Sequence, residues 1–238
     1  MEHARTPGST YDSFLKPIDL PVTMWGVPTW WDELEEPWRE CLALAWEAWC
    51  SGNAPVGAVV VDDSGEIVSR GRSRRVDTSA PDRQIAGTVL AHAEINASMA
   101  MRYPDTYDKV LYSSLQPCLL CTSAAMDSRI RAIHFAVADP LFVGIERLWQ
   151  LNSHFALRWP EWLCPVDEPF ARLSQLLVDV YVIEAGEEHQ LQAMVAGRDA
   201  DDVRLARDVS RIGFLNEHRY QPLASLVAAL GDAIGEFA

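Results

Sequence analysis

Hydrophobic positions change their period several times along the chain, and each change predicts an element. From Trp38 to Trp49, the residues Cys41, Leu42, Ala45, Trp46 and Trp49 recur at helical spacing, and Ser51-Gly52-Asn53 ends the helix they predict. The pattern then becomes continuous and β-branched over 54–62, as in a buried strand. Asp63-Ser64-Gly65 is turn chemistry, so 66–71 forms the second strand of a hairpin. After a loop over 74–88 come a helix over 91–100, a strand over 109–115, a helix over 118–128 and a strand over 131–138. The strand–helix–strand step over 109–138 predicts a parallel, right-handed crossover. Helices and strands in this order predict an α/β fold, a three-layer α/β/α sandwich around a mixed central sheet.

The flanks follow no such rhythm. Residues 1–37, with Trp25, Trp30 and Trp31 among Pro, Gly and Ser, read as an N-terminal arm whose indoles pack, because exposed indoles in that number are costly. A central domain is expected over 38–183, with a Trp- and Pro-studded stretch to Phe170 and a helix over 171–182. Residues 184–238 read as a C-terminal helical extension, acidic at first and ending in an apolar helix over 223–234. Trp30, Trp31, Trp38, Trp46 and Trp49 are expected to pack the arm and first helix against the sheet.

Composition narrows the class. Of 238 residues, 49% are hydrophobic and 23% charged, which fits a globular chain and argues against disorder throughout. No apolar run approaches the roughly 20 residues needed to span a bilayer. The first residues lack the apolar core of a secretory signal, so a cytoplasmic location without membrane contact is expected. Acidic residues outnumber Lys plus Arg by 34 to 20, a net charge of -14, which works against gripping a polyphosphate backbone. The five cysteines, Cys41, Cys50, Cys118, Cys121 and Cys164, are odd in number and irregularly spaced, which is no disulfide framework.

Two of them carry chemistry. Cys118 and Cys121, three apart at the start of a predicted helix, project from one face and can share a metal. A helix N-terminus also favours thiolates. One imidazole, His92, completes a Cys2His set with a fourth position open, the arrangement of a catalytic zinc rather than a closed structural one. Glu94 lies roughly 200° around the helix from His92. It therefore suits a proton-shuttling role beside water activated by the metal.

The spacing His-x-Glu followed by Pro-Cys-x-x-Cys is that of zinc deaminases acting on nucleobases. The chain resembles the cytidine deaminase-like superfamily, in particular its branch of tRNA adenosine, guanine and cytosine deaminases. Four segments in order carry the likeness: Ala54 to Val61, Ala91 to Glu94, Leu111 to Cys121, and Ser128-Arg129-Ile130. It covers roughly residues 38–150. The resemblance implies that His92, Cys118 and Cys121 hold Zn2+, that Glu94 shuttles protons, and that Pro55, Val56 and Ala58 approach the bound base. It implies a homodimer as well. Two positions depart from the family. Where relatives often end the second strand with Gly-x-Asn, this chain has Gly71-Arg72-Ser73, so Ser73 takes the substrate-contacting place with a shorter reach; and Gln116 replaces the Glu that many relatives carry before Pro-Cys.

The expected activity is hydrolytic deamination of a small nucleobase or nucleoside with release of ammonia, and nucleic acid is not the expected partner. Two other readings stay open: a deaminase acting on tRNA or another nucleic acid, and an inactive zinc-bearing scaffold, against which the presence of Glu94 speaks. Arg70, Arg72 and Arg74, with Arg75 and Arg83 nearby, form either an anion site or a solvated strand edge. Phe142 and Trp149 are candidates to cap a planar base. Cys41, Cys50 and Cys164 read as small hydrophobes, and His134 as a core or edge residue.

Overall fold

The computed structural model describes residues 28–102, 107–164, 168–186 and 188–235. Trp25 and the rest of the expected arm before Pro28 lie outside the described residues. A short α1 (Thr29–Glu33) leads into α2 (Glu36–Cys50), followed by the hairpin β1 (Gly57–Val61) and β2 (Ile67–Arg72). Then come α3 (Ala93–Ala100), β3 (Val110–Ser113), α4 (Leu119–Asp127) and β4 (Ala132–Phe135). After two 3-10 turns the chain forms α5 (Ser153–Arg158) and β5 (Glu161–Leu163). Five helices close it: α6 (Pro169–Ala185), α7 (Glu188–Ala196), α8 (Ala200–Arg211), α9 (Phe214–Glu217) and α10 (Leu223–Gly235).

The sheet runs β2-β1-β3-β4-β5. β1 is antiparallel to both β2 and β3, while β3, β4 and β5 are parallel, so the sheet is mixed as expected. Because successive side chains leave opposite faces, β1 divides its valines between two layers. Ala58 and Val60 pack with Leu111 and Ile133 against Ala93 and Ala97 of α3 and Ala125 of α4. Val59 and Val61 face Cys41 on α2. This is the three-layer α/β/α sandwich.

The alternation rule did not reveal β5, a three-residue strand without a continuous apolar run, which pairs Ala132↔Glu161 through His134↔Leu163. The tryptophans also do more than join arm to sheet. Trp31, Trp38, Trp46 and Trp49 are buried in one cluster with α6, α8 and α10, and the Trp46 indole donates to the Gln221 carbonyl at 2.9 Å. The C-terminal helices are therefore packed onto α2 and not merely appended. No helix among the described residues is long and apolar enough to cross a membrane.

One glycine sets how closely α3 approaches the sheet. A Cβ at Gly71 would overlap the backbone of Ala97 and Ala93. Neither wall is a flexible side chain, so Gly71→Ala must push β2 and α3 apart. We expect a loss of about 3 kcal/mol, the upper end for overpacking, read as a lowered urea midpoint at unchanged slope. A midpoint equal to wild type would show that the approach is not enforced.

Candidate metal centre and catalytic cavity

The chemistry sits where two helices begin. His92 is the N-cap of α3, with extended backbone, and its carbonyl already accepts from Asn96 N–H at 3.0 Å. Cys118 is the N-cap of α4, its carbonyl accepting from Thr122 N–H at 2.9 Å, and Cys121 lies in the first turn. Pro117, which has no N–H to offer a ladder, immediately precedes the N-cap of α4. The parallel crossover β3–α4–β4 then brings α4 beside α3 on one face of the sheet.

The three donors converge. Cys118 Sγ and Cys121 Sγ lie 3.6 Å and 3.4 Å from His92 Nδ1, and 3.6 Å from each other. A tetrahedral zinc, with Zn–S of about 2.3 Å and Zn–N of about 2.0–2.1 Å, sets its ligands roughly 3.5–3.8 Å apart. The donor set fits zinc in both chemistry and spacing. His92, Cys118 and Cys121 are the His/Cys/Asp/Glu group that meets ligand spacing among the described residues. Cys41, Cys50 and Cys164 are not part of it; Cys41 is fully buried, and Cys50 and Cys164 pack beside separate core clusters.

Electrostatics points the same way. The Cys118 thiol is drawn down to about 4, chiefly by the Cys121 hydrogen bond and also by His92, so it is a thiolate at neutral pH. The hydrogen bond to Cys118, and then burial, hold Cys121 as a thiol. A second thiolate so close to the first needs a cation to offset it. The hydrogen bond with Cys118 raises His92.

Glu94 is buried beside this centre. Its Oε2 accepts from the Cys121 thiol at 3.4 Å and its Oε1 from the Ser113 hydroxyl at 3.4 Å. Desolvation raises its carboxyl above the ordinary range, so it holds a proton more readily than a surface glutamate. Ser113, at the end of β3, carried no signal in the sequence; only its register against Ala58 places it under Glu94.

A cavity of about 350 Å³ opens onto the centre, within the size range of small-molecule sites. Pro55, Val56 and Ser73 line it together with His92, Glu94 and Cys118. Ala58 does not; it is fully buried in the sheet beneath. Phe142 lines the cavity as well, whereas Trp149 is 44% exposed and outside it. Gln116 ties down the loop that carries Phe142: its Nε2 donates to the Phe142 carbonyl at 3.2 Å and its Oε1 accepts from Asp139 N–H at 3.0 Å. Part of the wall comes from α6, α7 and beyond, through Val178, Tyr181, Val182, Gln190 and Arg198. These residues belong to segments where no motif pointed to the site.

The arginine run resolves into two groups. Arg70 pairs with Glu40 at 2.8 Å, while Arg72 and Arg74 reach Asp77 at 2.8 Å and 2.9 Å. Asn53 braces the same carboxylate through Nδ2, at 2.6 Å. Arg72, its side chain only 8% exposed, is thus part of an internal ion network and not a solvated edge.

Residues 32–137 match the family model described as the cytidine and deoxycytidylate deaminase zinc-binding region, so this stretch is similar to the cytidine deaminase-like superfamily. The cofactor of that region is zinc, and His92, Cys118 and Cys121 form the site available for it. Among curated proteins it is 38% identical over 119 residues to the tRNA(Ile)-lysidine synthase of Deinococcus radiodurans, covering 48% of this chain and 19% of that protein. It is 34% identical over 109 residues to the tRNA-specific adenosine deaminase of Haemophilus influenzae, covering 44% and 58%. The chain thus matches less than two thirds of the length of these relatives. Among solved structures, guanine deaminase from Bacillus subtilis aligns with 28% identity and a TM-score of 0.37, over 44% of this chain and 64% of that one. A structure from work on A-to-I editing by tRNA:A34 deaminases aligns with 27% identity and a TM-score of 0.42, over 52% and 93%.

Proposed function

We propose that this chain is a zinc-dependent hydrolytic deaminase whose substrate is a small heteroaromatic amine, a nucleobase or nucleoside. The observation that carries the reading is the placement of Glu94: a buried carboxyl, biased toward its protonated form, within 3.4 Å of a metal-ligand sulfur and on the wall of a ligand-sized cavity. A metal held only for structure has no use for such a neighbour. Zinc held by His92, Cys118 and Cys121 would supply Lewis acidity, lowering the pKa of water from 15.7 towards about 7.

The chain's own residues do the rest. Glu94 takes one proton from water on a carboxylate oxygen and hands it to the ring nitrogen, then takes the water's second proton and hands it to the departing amine. The Ser113 hydroxyl steadies Oε1 and leaves Oε2 directed at the metal-ligand sulfur. Pro55, Val56 and Phe142 give the ring apolar walls, and Ser73 supplies a short polar contact. In the overall reaction one water is consumed, a C–NH2 becomes a carbonyl, and ammonia leaves.

Two observations favour a small substrate over a nucleic acid: the net charge of -14, and the pairing of Arg70, Arg72 and Arg74 with carboxylates, which takes these three arginines out of any basic path to the cavity. The tRNA-acting alternative draws on a specific finding too, the 34% identity to a tRNA-specific adenosine deaminase. Ammonia release by the zinc-loaded protein, over a panel of bases, nucleosides and a tRNA anticodon arm, separates the two. Turnover of the panel's small members supports the proposal. Turnover confined to the anticodon arm replaces it with the alternative, and silence across the whole panel leaves a zinc-bearing scaffold.

A further inference from the structure

Arg75 stands apart from the other arginines of its run. Among the described residues it has neither an ion pair nor a side-chain hydrogen bond, and it is exposed and lines the catalytic cavity. The backbone of its two neighbours, by contrast, is held. Arg74 N–H donates to the Ala91 carbonyl at 2.9 Å, and the Arg74 carbonyl accepts from Gly87 N–H at 3.0 Å and from Asp77 N–H at 3.3 Å. On the far side Val76 N–H donates to Asn53 Oδ1 at 2.9 Å. A fixed main chain therefore presents an unneutralised guanidinium at the cavity wall.

The other charged groups on that wall, the Cys118 thiolate among the metal-ligand donors included, are each engaged by a partner. Arg198 is the second guanidinium there, with its side chain 7% exposed and its Nη1 donating to Gln175 at 3.0 Å. Asp179 lies 3.8 Å from its Nη2. Of the two carboxyls on the wall, Glu94 is engaged by Cys121 and Ser113. Asp139 is partly buried, and desolvation pushes it up toward its neutral form. In a chain of net charge -14, an unpaired arginine kept on the wall of the reactive cavity opposes the repulsion that an anionic ligand would otherwise meet.

Building on the deaminase reading, we propose that Arg75 is a specificity-determining residue that receives a phosphate carried by the substrate next to its amino-bearing ring. Arg suits this role because its planar fork meets phosphate oxygens with two parallel hydrogen bonds. The phosphate has two sources, a free nucleotide or the backbone of a polynucleotide, and the test separates them.

The test compares wild type, Arg75→Ala and Arg75→Lys, all zinc-loaded. Calorimetry measures binding of uridine and inosine against their 5′-monophosphates, products that cannot be deaminated further. Ammonia release compares cytidine and adenosine with their 5′-monophosphates and with an RNA anticodon stem-loop. We expect wild type to favour the monophosphate by about ten- to hundredfold, the scale of a charge-assisted pair. That ratio should collapse toward one in Arg75→Ala, recover in part in Arg75→Lys, and shrink as salt rises. If Arg75→Ala weakens only the stem-loop, the phosphate role stands and its source is the RNA backbone. Equal binding of phosphorylated and unphosphorylated ligands by wild type, with stem-loop turnover absent or untouched by Arg75→Ala, overturns the proposal. So does a phosphate preference that survives in Arg75→Ala. Absence of all turnover would count against the deaminase reading alone, since the calorimetric comparison still reads Arg75.

Discussion

Glu94→Gln is expected to lower kcat by about two to four orders of magnitude while leaving one zinc per chain. The substitution keeps the shape of the side chain and its hydrogen-bonding reach to Ser113, so the core around it need not repack. What it removes is the exchangeable proton, and a positioned acid–base group contributes about 10²–10⁴ in rate. A carboxylate retained only for structure would behave in the opposite way. Burying a neutral amide in place of a desolvated carboxyl would cost little or even stabilise the fold, and turnover would persist. The two cases are separated by measuring kcat, metal content and the thermal midpoint on the same preparation. Activity within tenfold of wild type, with zinc bound, would remove Glu94 from the reaction.

Much of the centre was legible because its parts are local. His92-Ala93-Glu94 and Pro117 to Cys121 are each short stretches at the start of a helix, with His92 and Cys118 as extended N-caps and Glu94 and Cys121 in the first turn. Pairing the two motifs required only that β3–α4–β4 be a parallel crossover, which the strand–helix–strand order implies. Boundaries shifted: the strand expected over 109–115 ends at Ser113, after which Ser114 makes one more bond to Gly57 and Gln116 N–H turns to the Val137 carbonyl. The other half of the cavity was not legible. Tyr181 and Arg198 reach it because α6 packs through Leu173, Leu177 and Val180 into the tryptophan cluster of α2, a contact between segments more than a hundred residues apart. Periodicity announces that α6 has an apolar face and is silent on what that face meets. Arg75 was visible only as one of several arginines; its distinction arises from what its neighbours pair with in three dimensions.

Cys118→Ser should strip the metal and with it both activity and part of the stability. Cys118 is the thiol that ionises most readily, and serine offers no anion near neutral pH, so the site loses its soft, charged ligand while the helix N-cap survives. After dialysis against a weak chelator, the variant is expected to hold less than about a tenth of the zinc kept by wild type, consistent with the loss of one of only three protein ligands. The stability effect follows by mass action. Free zinc at a thousandfold its dissociation constant stabilises the folded state by about 4 kcal/mol. At roughly 2–4 °C per kcal/mol for a chain of this size, the wild-type melting temperature should fall by about 10 °C on chelation, while that of Cys118→Ser barely moves. Full zinc occupancy in the variant would mean that a different side chain completes the site. The 3.4–3.6 Å approach of Cys118 to His92 and Cys121 would then not be that of a required zinc ligand.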